Sequence, residues 1–148
     1  MPTMPTTTRI RSVGPGGREL FDETQTPEAC AVSELQGIAR FKFHEGKLDE
    51  FKRLSARCME VVRSRDTGTL QYDIYFNDDQ SECIVLERFR DSAALIEHTA
   101  NLGDDFMEAI LATVSVVHGE LLGEPSAELR AKLAGSEVPQ LFTPYQSM

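Results

Sequence analysis

The chain has 148 residues and a net charge of −9, a length that suits one domain rather than two. The acidic balance argues against nucleic acid or an anionic membrane surface as the main partner, because both select for clustered Lys and Arg. No apolar run is long enough to span a bilayer, and the N-terminus lacks the apolar core of a secretory signal.

Residues 1–30 read as a flexible N-terminal arm. They are rich in Thr, Pro and Gly, including Gly14-Pro15-Gly16-Gly17, and bury too little apolar surface to offset the entropy of ordering. A local contact at Leu20 and Phe21 is expected, with ordering by a neighbouring subunit as the alternative. The Thr and Arg content ahead of Glu19 resembles a transit peptide in composition, but Pro and Gly break the amphipathic pattern such leaders need. Cys30, Cys58 and Cys83 are odd in number and far apart, which gives neither a disulfide framework nor a zinc spacing. Cys58 and Cys83 lie in apolar patterns and read as small buried residues of a reducing compartment, so a cytoplasmic protein is expected.

Residues 31–123 form the folded domain. Ser33 to Phe43 is a strand with Leu35, Ala39, Phe41 and Phe43 on one face, Gln36, Arg40 and Lys42 on the other, and Ile38 as an exception on the polar face. Lys47 to Arg65 is a helix whose apolar stripe is Leu48, Phe51, Leu54, Cys58, Val61 and Val62. Asp49 and Glu50 in its first turn and Arg63 and Arg65 in its last complement the helix dipole. Asp66-Thr67-Gly68 stops it, with Gly68 expected to supply freedom in φ. A hairpin follows. Leu70, Tyr72, Ile74 and Phe76 share one face, Asn77 to Gln80 form the turn, and Ile84, Val85 and Leu86 in a row suggest a strand covered on both sides. A helix capped by Asp91 or Ser92 runs to about Asn101, Gly103 breaks it, and Asp104 to Ala112 resumes. Thr113 to Leu122 is a fourth strand, with Val114, Val116, His118 and Glu120 on one face and Val117, Gly119 and Leu121 on the other.

Residues 124–148 add a short helix, Ser126 to Leu133, and an extended apolar tail at Leu141 to Tyr145. The order β-α-β-β-α-β predicts an α+β, ferredoxin-like domain. Its four-stranded antiparallel sheet carries both helices on one face. Right-handed crossovers are expected to make the first and third strands parallel neighbours. The other sheet face, with Ile38, Ile84 and Leu86, is left bare, and a two-fold homodimer closing face to face would cover it. Leu141, Phe142 and Tyr145 need an apolar seat, so exchange of the tail across that dimer is expected.

Three stretches, Phe43 to Phe51, Asp66 to Tyr75 and Val85 to His98, resemble the antibiotic biosynthesis monooxygenase domain. The resemblance runs from about Ser33 to Leu122. It implies the dimeric α+β barrel and a family containing quinol and anthrone oxygenases that use no cofactor, haem-degrading enzymes, and members without assigned activity. Phe89 stands where the family often has Trp, the chain has no Trp, and Asp104 to Leu111 has no His. Haem degradation, which relies on both in that branch, is therefore not expected.

Helical spacing puts His98 with Leu95 and Leu102, facing the sheet. It reads either as a general base, since imidazole titrates near neutral pH, or as a core histidine bonded to a neighbour; the resemblance adds weight to the base. Tyr72 is the second candidate, as a hydroxyl that binds a substrate oxygen or as a core aromatic with its OH at the surface. Phe41, Phe89, Leu95, Leu102 and Phe106 are the candidate pocket lining. Arg40 and His118 read as dimer-interface contacts, Asn101 as a cap, and Glu87 as a structural charge paired with a group such as Arg40. There is no G-x-G-x-x-G, P-loop, H-E-x-x-H or Cys/His cluster, so no cofactor and no metal are expected. The expected activity is a cofactor-independent monooxygenase acting on a small aromatic quinol or anthrone with molecular oxygen. The alternative is a non-catalytic dimeric barrel that binds a small hydrophobic ligand or a partner protein.

Overall fold

The structure is a computed structural model that describes residues 34–148. The arm over 1–30, its contact at Leu20 and Phe21, and Cys30 lie outside the described residues. The elements in chain order are β1 (Leu35–Phe43), α1 (Leu48–Arg65), β2 (Thr69–Phe76), β3 (Glu82–Phe89), α2 (Ser92–Leu102), α3 (Asp104–Leu111), β4 (Val114–Leu122), α4 (Ala127–Leu133) and β5 (Gln140–Phe142). None of the described helices is long and apolar enough to cross a membrane.

The sheet has five strands in the order β2-β3-β1-β4-β5. Two expectations are corrected here. The first and third strands are neighbours, but antiparallel, with Ile38 opposite Leu86. The reason is that α1 carries the chain from β1 to β2 with β3 inserted between them. β3 returns from β2 through a hairpin and so opposes both of its neighbours. The sheet also has a fifth strand. Part of the tail read as merely extended pairs parallel to β4, Leu121 opposite Leu141. Leu141 thereby packs with Leu35, Leu121 and Leu129 of its own chain. That segment is seated without exchange, whereas Tyr145 stays exposed.

Alternation along β3 sends Cys83, Val85, Glu87 and Phe89 toward the helices and Ile84, Leu86 and Arg88 to the open face. Cys83, Val85 and Phe89 are buried, while Ile84 is 40 % exposed. Two register shifts alter the expected faces. Thr69 pairs with Phe89 and Gln71 with Arg88, so Leu70 is skipped and lies half in solvent rather than with Tyr72 and Ile74. Arg40 pairs with His118 and Phe41 with Val116, so Val117 is the extra residue. Val114 and Val116 therefore share the helix side with Gly119 and Leu121, and His118 and Glu120 face the other way. One inserted residue inverts the period-two alternation beyond it.

Two apolar clusters form under the helices. Phe51, Leu54, Cys83, Val85, Ile110 and Val114 make the larger one. Leu35, Leu121 and Leu129, with Leu95 and Leu141 against them, make the second. α2 lies over both. Asp91 caps it by accepting from the Ala94 amide, and Gly103, at φ +84°, ends it in a conformation that suits glycine. Gly68 is required for a different reason from the one expected. Its φ is not positive, but a Cβ there would stand 2.5 Å from that of Ala94. Space, not backbone freedom, selects glycine where β2 passes beneath α2. Gly68→Ala is expected to cost about 1–3 kcal/mol through overpacking, read as a lower urea midpoint, and the added Ala94→Gly change should recover most of it.

Candidate active site

The site begins where α1 stops. Asp66 is the C-terminal cap of α1, its amide donating to the Val62 carbonyl, and its side chain turns inward to 1 % exposure. Three side chains donate to that carboxylate. Asn101 Nδ2 lies 2.8 Å from Oδ1, Thr69 Oγ1 lies 2.7 Å from Oδ2, and His98 Nδ1 lies 2.7 Å from Oδ2. Burial pushes the Asp66 pKa up, but the bonds from Asn101, Thr69 and His98 outweigh it and hold the group below its ordinary 3.8. An ionised carboxylate only accepts, so His98 Nδ1 carries the hydrogen. In the neutral ring Nε2 is then the basic nitrogen. The adjacent Thr67 gives its amide and hydroxyl to Glu97, each at 3.0 Å. Glu97, His98 and Asn101 of α2 thus all grip the turn that ends α1. Asn101 is not the helix cap it was expected to be.

His98 is buried, and its ring lies 5.6 Å from that of Tyr72 and 5.3 Å from that of Phe89, centroid to centroid. Tyr72 accepts a bond from the Cys58 thiol at 3.2 Å, so its OH does not reach the surface, and its own proton remains available. Burial first, then the nearby Glu87 and Cys58, raise the Tyr72 pKa well above its ordinary value, so the phenol stays protonated. Burial also raises that of Cys58 and pushes Cys83 up to about 11. Both thiols are therefore poor nucleophiles.

A cavity of about 70 Å³ opens beside His98. Phe41, Tyr72, Ile74 and Val85 form its sheet side, Leu102 and Ile110 its helix side, and Met107 and Leu111 the flank nearest solvent. Of the expected lining, Phe41 and Leu102 are there, beside the two catalytic candidates His98 and Tyr72. Phe89, Leu95 and Phe106 are not. Phe89 sits two residues, roughly 6.6 Å, beyond Glu87 along β3 and backs the His98 ring in the core. Leu95 lies two helical turns before Leu102, about 10 Å along the axis, and joins the second cluster. Phe106 lines a separate, open groove of about 520 Å³ on the far side of Leu102, with the Arg57 guanidinium 5.8 Å above its ring.

Glu87 does not have Arg40 as the partner expected for it. Its strand neighbours are Gly37 and Tyr72, and it lines the cavity. Arg40 stands on the opposite sheet face and pairs with Glu82 at 2.7 Å. His118 lies on that same face, 3.6 Å from Glu120. Neither Arg40 nor His118 reaches the cavity. Among the described residues no three His, Cys, Asp or Glu side chains are grouped to hold a metal ion.

The chain is a small α+β, ferredoxin-like protein in which a buried carboxylate–imidazole pair lies beside a cavity under the helices. The chain belongs to the antibiotic biosynthesis monooxygenase family, which matches residues 37–112, a span that includes Asp66, Tyr72, Glu87 and His98. MupZ from Pseudomonas fluorescens is similar over 78 % of this chain and 88 % of its own, at 28 % identity and a TM-score of 0.67. Two further likenesses concern the fold alone. Rv0793 from Mycobacterium tuberculosis has 23 % identity over 64 % of this chain and 97 % of its own, with a TM-score of 0.52. SnoaB, a cofactor-independent oxygenase from Streptomyces nogalater, has 17 % identity over 64 % and 96 %, with a TM-score of 0.51. No curated protein matches the chain.

Because the folded pKa of Asp66 is depressed, the stability it contributes is present above its ordinary value of 3.8 and is lost as pH falls through the lower folded value. Asp66→Asn removes that acid-range slope in urea midpoint against pH. It also sets an amide donor against the other donors, at a cost of about 1.5–3 kcal/mol near neutral pH.

Proposed function

We propose that the protein is a cofactor-independent monooxygenase of quinol- or anthrone-like aromatics, with His98 as the base. The observation that carries this reading is the Asp66–His98 hydrogen bond of 2.7 Å at the wall of an apolar cavity. It fixes one tautomer and leaves Nε2 to accept a proton. Carboxylate-backed imidazoles act as bases in this way because the carboxylate orients the ring and stabilises the imidazolium that forms.

Substrate deprotonation by Nε2 gives a delocalised carbanion or phenolate. That anion is the reductant. It passes electrons to oxygen, a C–O bond forms, and the resulting peroxide takes back a proton. Loss of water then leaves a carbonyl. One oxygen atom ends in the product and one in water, so an anthrone methylene becomes a quinone carbonyl with no outside electron donor. Exclusion of water by Phe41, Ile74, Val85 and Leu102 strengthens each polar contact made inside. The description of SnoaB as a cofactor-independent oxygenase supports the same chemistry.

The cavity of about 70 Å³ is below the roughly 300 Å³ at which ligand pockets of ordinary size begin. Aromatic substrates therefore need the flank to yield. α3 is the element suited to this. It is eight residues long, it follows the Gly103 break, and it supplies Met107 and Leu111.

The proposed assembly is a homodimer closed over the open sheet face. Tyr75 beside Ile84, and Ile38 beside Leu86, make an apolar row there. It is flanked by the Arg40–Glu82 and Arg88–Glu34 pairs, each at 2.7 Å. Burying such a face is the usual reason an open sheet associates.

Two outcomes test these proposals. Oxygen uptake with a panel of hydroquinones and anthrones should fall by about 10²–10⁴ in kcat in His98→Ala, and equal rates would remove His98 from the mechanism. Sedimentation velocity at micromolar concentration should give a dimer for the wild type and a monomer for Ile84→Glu. A monomeric wild type would count against the face-to-face assembly.

A further inference from the structure

We propose that Glu87 is a further catalytic residue, a hydrogen-bond donor that joins the Tyr72 hydroxyl in holding the substrate oxygen on which negative charge develops when His98 takes the proton. The inference rests on the oxygenase reading and adds to it the polar half of the site. It also names the substrate feature required: an oxygen conjugated to the carbon or hydroxyl that loses its proton.

The geometry leads there in three steps. Glu87 and Tyr72 are cross-strand partners on the helix side of the sheet, so their side chains leave the backbone next to one another. Both line the cavity that His98 lines. Across from Glu87 on the other side is Gly37. A Cβ there would come 3.8 Å from Glu87 Oε1, so β1 offers the carboxyl room and no polar partner.

The second step is what surrounds the carboxyl. The titratable groups facing it are Cys58 from α1, Asp66 from the turn after α1, Tyr72 from β2 and His98 from α2. α3 presents only Met107, Ile110 and Leu111 to the cavity. No Lys or Arg is among them, and the Glu87 side chain makes no hydrogen bond or ion pair with the described residues. Burial raises its pKa, His98 partly offsets this, and the charge of Asp66 adds to the rise. A second carboxylate beside ionised Asp66 would also repel the substrate anion. A neutral carboxylic acid avoids both costs and presents an O–H donor.

The third step is division of labour. Asp66 has three donors and stays ionised to serve His98. Glu87 has none from the described residues and keeps its proton to serve the substrate oxygen. Donors waiting in a dry site for charge that develops during reaction need no reorganisation when it appears.

The test compares wild type, Glu87→Gln and Glu87→Ala in two readouts, with urea denaturation confirming that each is folded. In oxygen uptake with anthrone, Glu87→Gln keeps a donor and should hold kcat within a few-fold, whereas Glu87→Ala should lose about 10²–10³. The wild-type rate should fall on the alkaline side as Glu87 loses its proton, and Glu87→Gln should lack that limb. A Gln variant as inactive as the Ala variant, or an Ala variant with wild-type kcat, overturns the donor role. The second readout needs no turnover. The infrared difference spectrum of wild type minus Glu87→Gln at neutral pH should contain the carbonyl stretch of a protonated carboxylic acid. A carboxylate signature instead overturns the inference even in an active enzyme. A wild type that consumes no oxygen with any quinol or anthrone overturns the oxygenase reading, and the donor role with it, whatever the spectrum contains.

Discussion

The Asp66 carboxylate is the point at which separate parts of the fold are tied together. A buried charge without partners costs several kcal/mol, and here it is answered from two directions. Thr69 donates from the first residue of β2, and His98 and Asn101 donate from the last turns of α2. The carboxylate thereby fixes where α2 sits along the sheet, since a shift of one residue would break two of the bonds at once. The Glu97 bonds to Thr67 reinforce the same alignment from outside. The imidazole is oriented by the same contact that sets the helix, so fold and site share one interaction.

The placement of the cavity follows from that alignment. The first half of α2 packs Leu95 and Ile96 on the second cluster, while His98 and Leu102 of its second half line the cavity. Phe89 and Tyr72 flank the His98 ring on the sheet. The cavity lies in the region bounded by Tyr72, Glu87, Leu102 and α3. β3 contributes to both functions: Val85 packs the core, Glu87 enters the cavity, and Phe89 closes the space behind the imidazole. One face of a single strand thus carries core-packing and cavity-lining residues side by side.

How much of this was legible in the chain depends on the range of the contact. Helix and strand periods are local, so β1, α1, the hairpin and α2 could be read from spacing, and so could the burial of His98. Asp66 read only as part of a helix stop, because its partners lie 32 and 35 residues away and leave no periodic trace. Glu87 was assigned to Arg40 because opposite charges on adjacent strands are plausible partners, but their β1–β3 register puts them on opposite faces. Leu95 and Leu102 share a helical stripe, yet Leu95 packs on the second cluster and Leu102 lines the cavity, so shared periodicity does not mean a shared pocket. The bulges at Leu70 and Val117 each required a single extra residue that alternation alone does not announce. The fifth strand was missed because three residues are too few to display a period.

Two carboxyl groups within one small site have their pKa values moved in opposite directions, for reasons the structure makes explicit. The Asp66 side chain is only 1 % exposed, yet its pKa is lowered, because hydrogen bonds to the charged form outweigh desolvation. Glu87 lacks such donors among the described residues, and burial dominates. The donors aimed at Asp66, and their absence at Glu87 among the described residues, set the two shifts apart. Separated environments of this kind are how one fold holds two carboxyls at different pKa values. The His98 imidazole commits Nδ1 to the ionised Asp66 carboxylate, which leaves Nε2 for the proton of the proposed reaction.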